Sequence, residues 1–472
     1  KEFALVRENL RERQRLLENA PYLVRPLPFL IPLFGRDGVV AKALARGYSV
    51  ALRLYDLSGG WRIGRRFTRV RKDEALAHLP TLATDRLVAG FLYFDARGDD
   101  ARVALTLART AALDHDADVA TYVRATGVTR DAAGRVNGVV AIDQLGGRDL
   151  TLATRSVVNA AGVWTDQVVE VTSGVASHQV TPAKGVHLSV PASRLPTDVA
   201  AVFAVPGDRR SVFVIPFEEA PFTFIGTTDT AYAGPLDDPT CTGEDVDYLL
   251  GAVNAWTTSN LAPADVTGLW AGLRPLVAPR GGEALSERTA DLSRRHRVTD
   301  EHDGVVSVTG GKWTTYRQMA EDTVDALKPY VTALRASRTK RLALHGVGPW
   351  RPGSERETHL YRRYGEDARA VLALIAERPS LGEPVIEGLP YLGAEFVYGA
   401  RHEMATSLVD LLTRRTRAHL QDARATLRAA PAVADLVADE FWWTRQECAR
   451  QVDLYRDLIE HEFAAAGLAL VP

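Results

Sequence analysis

Cysteine is nearly absent from this chain. Cys241 and Cys448 are the only two in 472 residues, too few for a disulfide framework or a zinc site, so a reducing cytoplasm is the default compartment. An excess of either charge is missing too. The 57 basic and 59 acidic residues leave a formal net charge of −2, which removes any bulk electrostatic case for nucleic acid as a partner. No stretch reaches the roughly 18 apolar residues needed to span a bilayer. The most apolar early run, Tyr22 to Phe34, carries Arg25 and three prolines. No secretory signal, internal repeat or low-complexity tract is visible.

One further absence concerns a motif. A strand, a Gly-rich turn and a helix that would cradle a dinucleotide pyrophosphate are not found. The nearest approach, Gly346-Val-Gly348, has Arg351 where the third glycine belongs. Because the chain begins at Lys1 without an initiator Met, it is expected to be a fragment whose Gly-rich segment lies upstream.

What is present is long enough for two or three domains and a large core, with 46% hydrophobic and 25% charged residues. The spacing predicts an amphipathic helix over 2–19, with Phe3, Val6, Leu10 and Leu17 near one face and Arg7, Arg11 and Arg15 elsewhere. A second helix is expected over 102–112, then strands over 118–126, 136–143 and 151–160. Longer β segments follow, with 211–217 and 222–230 joined as a hairpin. Residues 304–309 read as a strand, Gly310-Gly311 as a turn and the next residues as a helix to about Leu327. Beyond Leu344 the pattern is helical, and the last helix puts Val452, Tyr455 and Ile459 on one face.

Two segments carry most of the chemistry. In VVNAAGVWTD (157–166) a strand runs into Ala160, Ala161 and Gly162, where small residues let the backbone approach a ligand. In VSVTGGKWTTYRQMAEDTVDAL (306–327) a strand ends in Gly310 and Gly311, Lys312 follows, and Thr314 or Thr315 can cap the helix. Amides at such a helix start suit an anion or developing negative charge. Between them, TPAKGVHLSVP (181–191) offers Lys184 and His187, and histidine is the usual group for taking a hydroxyl proton near neutral pH. WAGLRPLV (270–277) holds Arg274 and LSRRHRV (292–298) holds Arg294, Arg295 and Arg297; arginines on short β segments can clamp a phosphate.

Taken with ENAPYLVRPLPFLIPLF (18–34), LYDLSGG (54–60), LYFDARGDDARV (92–103), FIGTTDT (224–230) and GLPYLGAEFVYGARHEMATSLVD (388–410), these strings resemble the respiratory, FAD-dependent glycerol-3-phosphate dehydrogenases. These belong to the wider glycine/D-amino-acid oxidase group of flavoproteins. The resemblance covers nearly the whole chain; GGKWTTYR (310–317) and the last string are its specific parts. It implies a mixed α/β (α+β) fold. A discontinuous, doubly wound FAD-binding domain lacking its first βαβ unit would occupy 98–170 and 299–335. An inserted antiparallel β substrate domain would occupy 171–298, an all-helical C-terminal domain 345–472, and residues 1–97 would form the remainder of the N-terminal region and a substrate-side cap. It implies FAD as cofactor and oxidation of sn-glycerol 3-phosphate to dihydroxyacetone phosphate, with electrons passed to a quinone.

Carried onto matching positions, the resemblance makes Arg274 and Arg294 the phosphate ligands and His187 and Lys312 the polar groups beside the reacting hydroxyl. Gly310, Gly311, Thr314 and Thr315 would lie along the isoalloxazine, with Ala160, Ala161 and Gly162 approaching the cofactor from the other segment. The family's glycine fingerprint, ribose-binding acid and upstream arginine segment would all precede residue 1. An enzyme of this kind is expected in the cytoplasm, peripherally attached to the inner face of the cell membrane through the first helix or the 22–34 run. The C-terminal helices are a reasonable homodimer contact. Rival readings are an amino-acid or hydroxy-acid oxidase, a glycerol-3-phosphate oxidase using oxygen, and a non-catalytic fragment without the pyrophosphate cradle. Arg274 with Arg294 favours a dianionic phosphate over a carboxylate.

Overall fold

The computed structural model describes residues 3–35, 42–57, 63–208, 210–278 and 295–470. The first helix, α1 (Phe3–Asn19), forms as the spacing predicts, but its buried face is different. Leu5, Leu10 and Leu16 are buried together with Glu12 and Arg13, while Val6 is exposed. The rotation is set by ion pairs: Glu12 accepts from Arg317 Nε at 2.7 Å and Arg13 donates to Asp95 at 3.0 Å.

The 22–34 run supplies strand β1 (Val24–Phe34). After α2 (Lys42–Leu57), β2 (Thr68–Arg71) and α3 (Lys72–His78), strand β3 (Leu87–Gly98) pairs antiparallel with β1 along its length. On its other side β1 meets residues 200 and 201 in parallel, over Phe29 and Leu30 alone. Its three prolines, at 26, 28 and 32, share one parity, so the missing N–H groups fall on one edge and the β3 ladder is kept. A strand inside a sheet is not a membrane-facing segment, and that expectation for 22–34 is corrected.

Helix α4 (Asp100–His115) starts at Asp99, whose side chain accepts from the amides of Ala101 and Arg102. Strands β4 (Val123–Arg130), β5 (Val136–Asp143) and β6 (Arg148–Ala153) form a small antiparallel sheet. The single strand expected over 151–160 is two. β6 ends at Ala153, and β7 (Val157–Asn159) joins a different sheet before α5 (Thr165–Ser173).

The 180–277 region supplies β8 (Val180–Pro191), β9 (Ala200–Ala204), β10 (Ser211–Pro216), β11 (Phe222–Gly226), β12 (Thr230–Ala231), α6 (Gly243–Asn254) and β13 (Gly268–Val277). The β10–β11 hairpin forms as predicted. These strands and β1–β3 make one nine-stranded sheet in the order β12-β8-β11-β10-β9-β1-β3-β2, with β13 along the other edge of β8. Val186, Leu188 and Val190 of β8 enter a core shared with Val246, Leu249 and Val253 of α6.

Strand β14 (Arg297–Asp300) pairs antiparallel with β15 (Val305–Thr309), which runs parallel to β7 and leads to α7 (Tyr316–Ala326). The C-terminal helices are α8 (Glu355–Tyr364), α9 (Ala368–Glu377), α10 (Gly393–His402), α11 (Ala418–Gln421), α12 (Ala423–Phe441) and α13 (Arg445–Ala465). Val452, Tyr455 and Ile459 of α13 are buried as predicted. Charge fastens this region to the rest: Arg102 of α4 donates to Glu403 at 2.7 Å, both fully buried.

Candidate active site

Along β8 the side chains alternate. Lys184 and Val186 point to one face, Gly185 and His187 to the other. Lys184 is committed to structure, donating to Asp245 at 2.6 Å and to the Thr240 carbonyl at 3.1 Å. His187 instead lines a cavity of about 850 Å³. Its cross-strand neighbours are Trp270 on β13 and Gly226 on β11. Trp270 stacks on the imidazole at 4.9 Å with ring planes 7° apart. On the other side only glycine fits, because a Cβ at 226 would come within 2.1 Å of the ring. Burial, with added repulsion from Arg274 and Arg417, pushes the His187 pKa down to about 4. The ring is therefore neutral near pH 7 and able to accept a proton.

Four residues along β13, Arg274 stands on the same face as Trp270 and lines the same cavity. Its guanidinium lies across Gly185, where a Cβ would meet it at 2.5 Å. It is held by the Thr228 carbonyl, the Asp229 carboxylate and the Thr227 hydroxyl, each at 3.2 Å. Position and charge are thus fixed by the β11–β12 connection rather than by solvent.

The third wall is the turn after β15. Gly310 and Gly311 have φ of 72° and 85°, which admits glycine and few other residues, and Gly311, Lys312 and Trp313 reach the cavity. The expected threonine cap is not made. Thr315 Oγ1 donates to the Lys312 carbonyl at 3.1 Å, so no threonine side chain accepts an amide at the start of α7. The hydroxyl closes a short 3-10 turn, which competes with capping.

The other predicted segment is nearby but not part of the cavity lining. β7 lies beside β15, and Ala160, Ala161 and Gly162 follow it. Buried Asn159 braces this turn, accepting from the Ala161 amide at 3.2 Å and donating to the Thr165 carbonyl at 3.1 Å. Thr314, Thr315 and Gly310 also lie off the lining. Arg294 falls outside the described residues.

Several lining residues were not anticipated. Trp270 had a signal, since it shares the two-residue period of Gly272 and Arg274. Further lining comes from the C-terminal region, through Arg417, His419 and Glu462. His419 Nε2 is 2.8 Å from Glu462, and its Nδ1 meets the Tyr455 hydroxyl at 3.2 Å. No pattern in 410–421 distinguishes Arg417 and His419 from an ordinary basic helix surface.

Residues 1–321 match the FAD dependent oxidoreductase family, and residues 306–448 match the C-terminal domain of alpha-glycerophosphate oxidase. The chain belongs to the FAD-dependent oxidoreductases. Among its relatives is glycerol-3-phosphate dehydrogenase 2 of Mycobacterium tuberculosis, 38% identical over 481 residues, covering 98% of this chain and 79% of that protein. The human mitochondrial glycerol-3-phosphate dehydrogenase is 32% identical over 488 residues, covering 98% and 65% respectively. The glycerol-3-phosphate dehydrogenase from Bacillus halodurans, solved in complex with FAD, superposes with a TM-score of 0.75 at 29% identity, covering 98% of this chain and 85% of that one.

The residues present fit that cofactor. β7 and β15 are parallel neighbours whose carboxyl ends open into small-residue turns, the place where doubly wound sheets bind their ligands. At Gly162, with φ of 62°, a Cβ would meet nothing within 4 Å, so the turn faces open space. On β15 the buried hydroxyls of Ser307 and Thr309 have no hydrogen-bond partner among the described residues, as a surface prepared for a polar group would.

Proposed function

We propose that this enzyme oxidises sn-glycerol 3-phosphate to dihydroxyacetone phosphate. The observation that carries the reading is convergence. His187, Arg274 and Lys312, from three stretches of chain, face one cavity, and relatives that match 98% of the chain are glycerol-3-phosphate dehydrogenases. A dianionic phosphate asks for several basic groups; Arg274 is preorganised for it, and the resemblance adds Arg294.

FAD would be held by Ala160, Ala161, Gly162, Gly310, Gly311, Thr314 and Thr315, and when bound supplies the acceptor for the hydride that leaves C2. The neutral imidazole of His187 accepts the C2 hydroxyl proton, so that loss of hydride and proton together leaves the ketone. Lys312 adds positive charge at the cavity wall beside the turn. His187→Ala in the FAD-loaded enzyme is expected to slow flavin reduction by the substrate by about 10²- to 10⁴-fold. A rate equal to wild type removes His187 from this role.

A quinone is the acceptor we favour. No helix among the described residues is long and apolar enough to cross a membrane, so contact would be peripheral. Helix α2 supports this better than α1, because Val50, Leu54 and Leu57 are exposed on one face with Arg46 and Arg53 on the same helix, the pattern of an interfacial helix. Leu54→Glu is expected to release the enzyme from anionic lipid vesicles in a co-sedimentation assay, and undiminished pelleting argues against α2. The match of 306–448 to an oxidase domain keeps an oxygen-using reading in play. Reoxidation of the reduced enzyme by quinone versus by dissolved oxygen separates the two.

A further inference from the structure

We propose that Arg417, a residue of the C-terminal helical region, is an additional ligand for the substrate's phosphate, held in reserve by Asp100 until the anion arrives. The inference rests on the substrate reading above and extends it to a cavity residue supplied by the C-terminal region.

Arg417 lines the same cavity as His187, Arg274 and Lys312, and its charge is felt at the His187 ring. Its place relative to those residues is fixed by backbone. α11, which begins at the next residue, lies against β13 so closely that a Cβ at Gly268 would come within 2.4 Å of the Leu420 carbonyl oxygen. The Ala423 amide donates to the Thr267 carbonyl at 2.9 Å, and the Thr267 hydroxyl donates to the Gln421 carbonyl at 2.6 Å. Arg417 and Arg274 are thus carried by elements that cannot shift independently. Arg417 itself has φ of 68° as the N-cap residue of α11, a conformation uncommon for a long side chain.

Its partners in this structure are Asp100 at 3.2 Å and Asp99 at 3.8 Å. Asp99 is already engaged as the cap of α4. The Asp100 side chain is 68% exposed, and an ion pair of that kind contributes little. A phosphate dianion in the cavity is the stronger partner for a guanidinium, since it accepts two parallel hydrogen bonds and carries twice the charge. Asp100 also lines the cavity, where its carboxylate opposes an entering anion. Arg417 offsets that repulsion before binding and turns to the phosphate upon it.

The test is steady-state kinetics of the FAD-loaded enzyme with sn-glycerol 3-phosphate, together with competitive inhibition by inorganic phosphate. Arg417→Gln is expected to raise KM and the phosphate inhibition constant together by about 10- to 100-fold, with kcat changed about threefold or less. Arg417→Lys, which keeps the charge and the packing, should recover part of that loss. Asp100→Asn should leave KM at or below the wild-type value. A purely structural clamp predicts otherwise: Asp100→Asn would then do the same damage as Arg417→Gln, and that result overturns the proposal. So does an Arg417→Gln enzyme with wild-type KM and phosphate inhibition. If wild type itself fails to reduce its flavin with sn-glycerol 3-phosphate, the substrate reading falls first and this inference with it.

Discussion

β7 and β15 lie side by side and parallel, and each runs through glycine into a short 3-10 turn. In both turns a threonine hydroxyl bonds to the carbonyl three residues earlier, Thr165 to Gly162 at 2.7 Å and Thr315 to Lys312 at 3.1 Å. In both a tryptophan precedes the helix. The difference is in what surrounds them. Val163, before the first tryptophan, is buried in packing, and Trp164 is tied to Asp237 at 2.7 Å. Lys312 and Trp313, at the corresponding place in the second turn, line the cavity with His187 and Arg274. A shared local design sets two helix starts at one edge of a sheet. The residue before the tryptophan separates the turn that lines the cavity from the turn packed beside it.

The most damaging way to break this comparison is Lys312→Met, expected to lower kcat/KM by about 10²- to 10³-fold, whereas Val163→Ala should stay within about threefold of wild type; equal losses would erase the distinction. Next comes the backbone. A Cβ at Gly310 would lie 2.3 Å from Val277 and 2.8 Å from the Arg295 carbonyl, so Gly310→Ala combines positive φ with overpacking. It is expected to cost about 3 kcal/mol in denaturant unfolding.

A smaller effect reports on the cavity side through pH. His187 is neutral in the folded protein down to about pH 4, while in the unfolded chain it protonates near 6.5. The unfolded state therefore binds the extra proton, and stability falls as pH drops from 6.5 towards 4. Between pH 6.5 and 5 wild type should lose about 1.5 kcal/mol more than His187→Asn; parallel stability curves would show the ring is not held neutral. Smallest is Gly162→Ala. With positive φ but open space around the new methyl, it should cost only about 1 kcal/mol.

Periodicity and turn chemistry act locally, and what they govern was legible. The β15 strand, its glycine turn and helix α7, the β10–β11 hairpin and the buried face of α13 follow from neighbours in sequence. α1 did not yield its rotation, because that is decided by Arg317, some 300 residues away, pairing with Glu12. The 22–34 run was expected to serve membrane attachment; that it forms β1 is decided by partner strands distant in sequence, and the shared parity of its prolines is what makes that strand tolerable. For the site, His187, Arg274 and Lys312 were reachable through resemblance. Trp270 was reachable through strand period. Arg417, His419 and Glu462 were not, since they meet the cavity only after the C-terminal helices dock on β13.

That docking has a consequence for how the molecule comes apart. Arg102 and Glu403 face each other where no water reaches, one on the helix beside the cavity and one in the C-terminal region. Glu403 also has Arg109 at 3.7 Å, so the larger loss is expected on removing Glu403, which leaves the buried Arg102 charge without its carboxylate, at about 3–5 kcal/mol. The pair couples the helical region to α4. Because the pair and the Arg363 carbonyl that also holds Arg102 tie the two regions together, heating should melt them in a single transition.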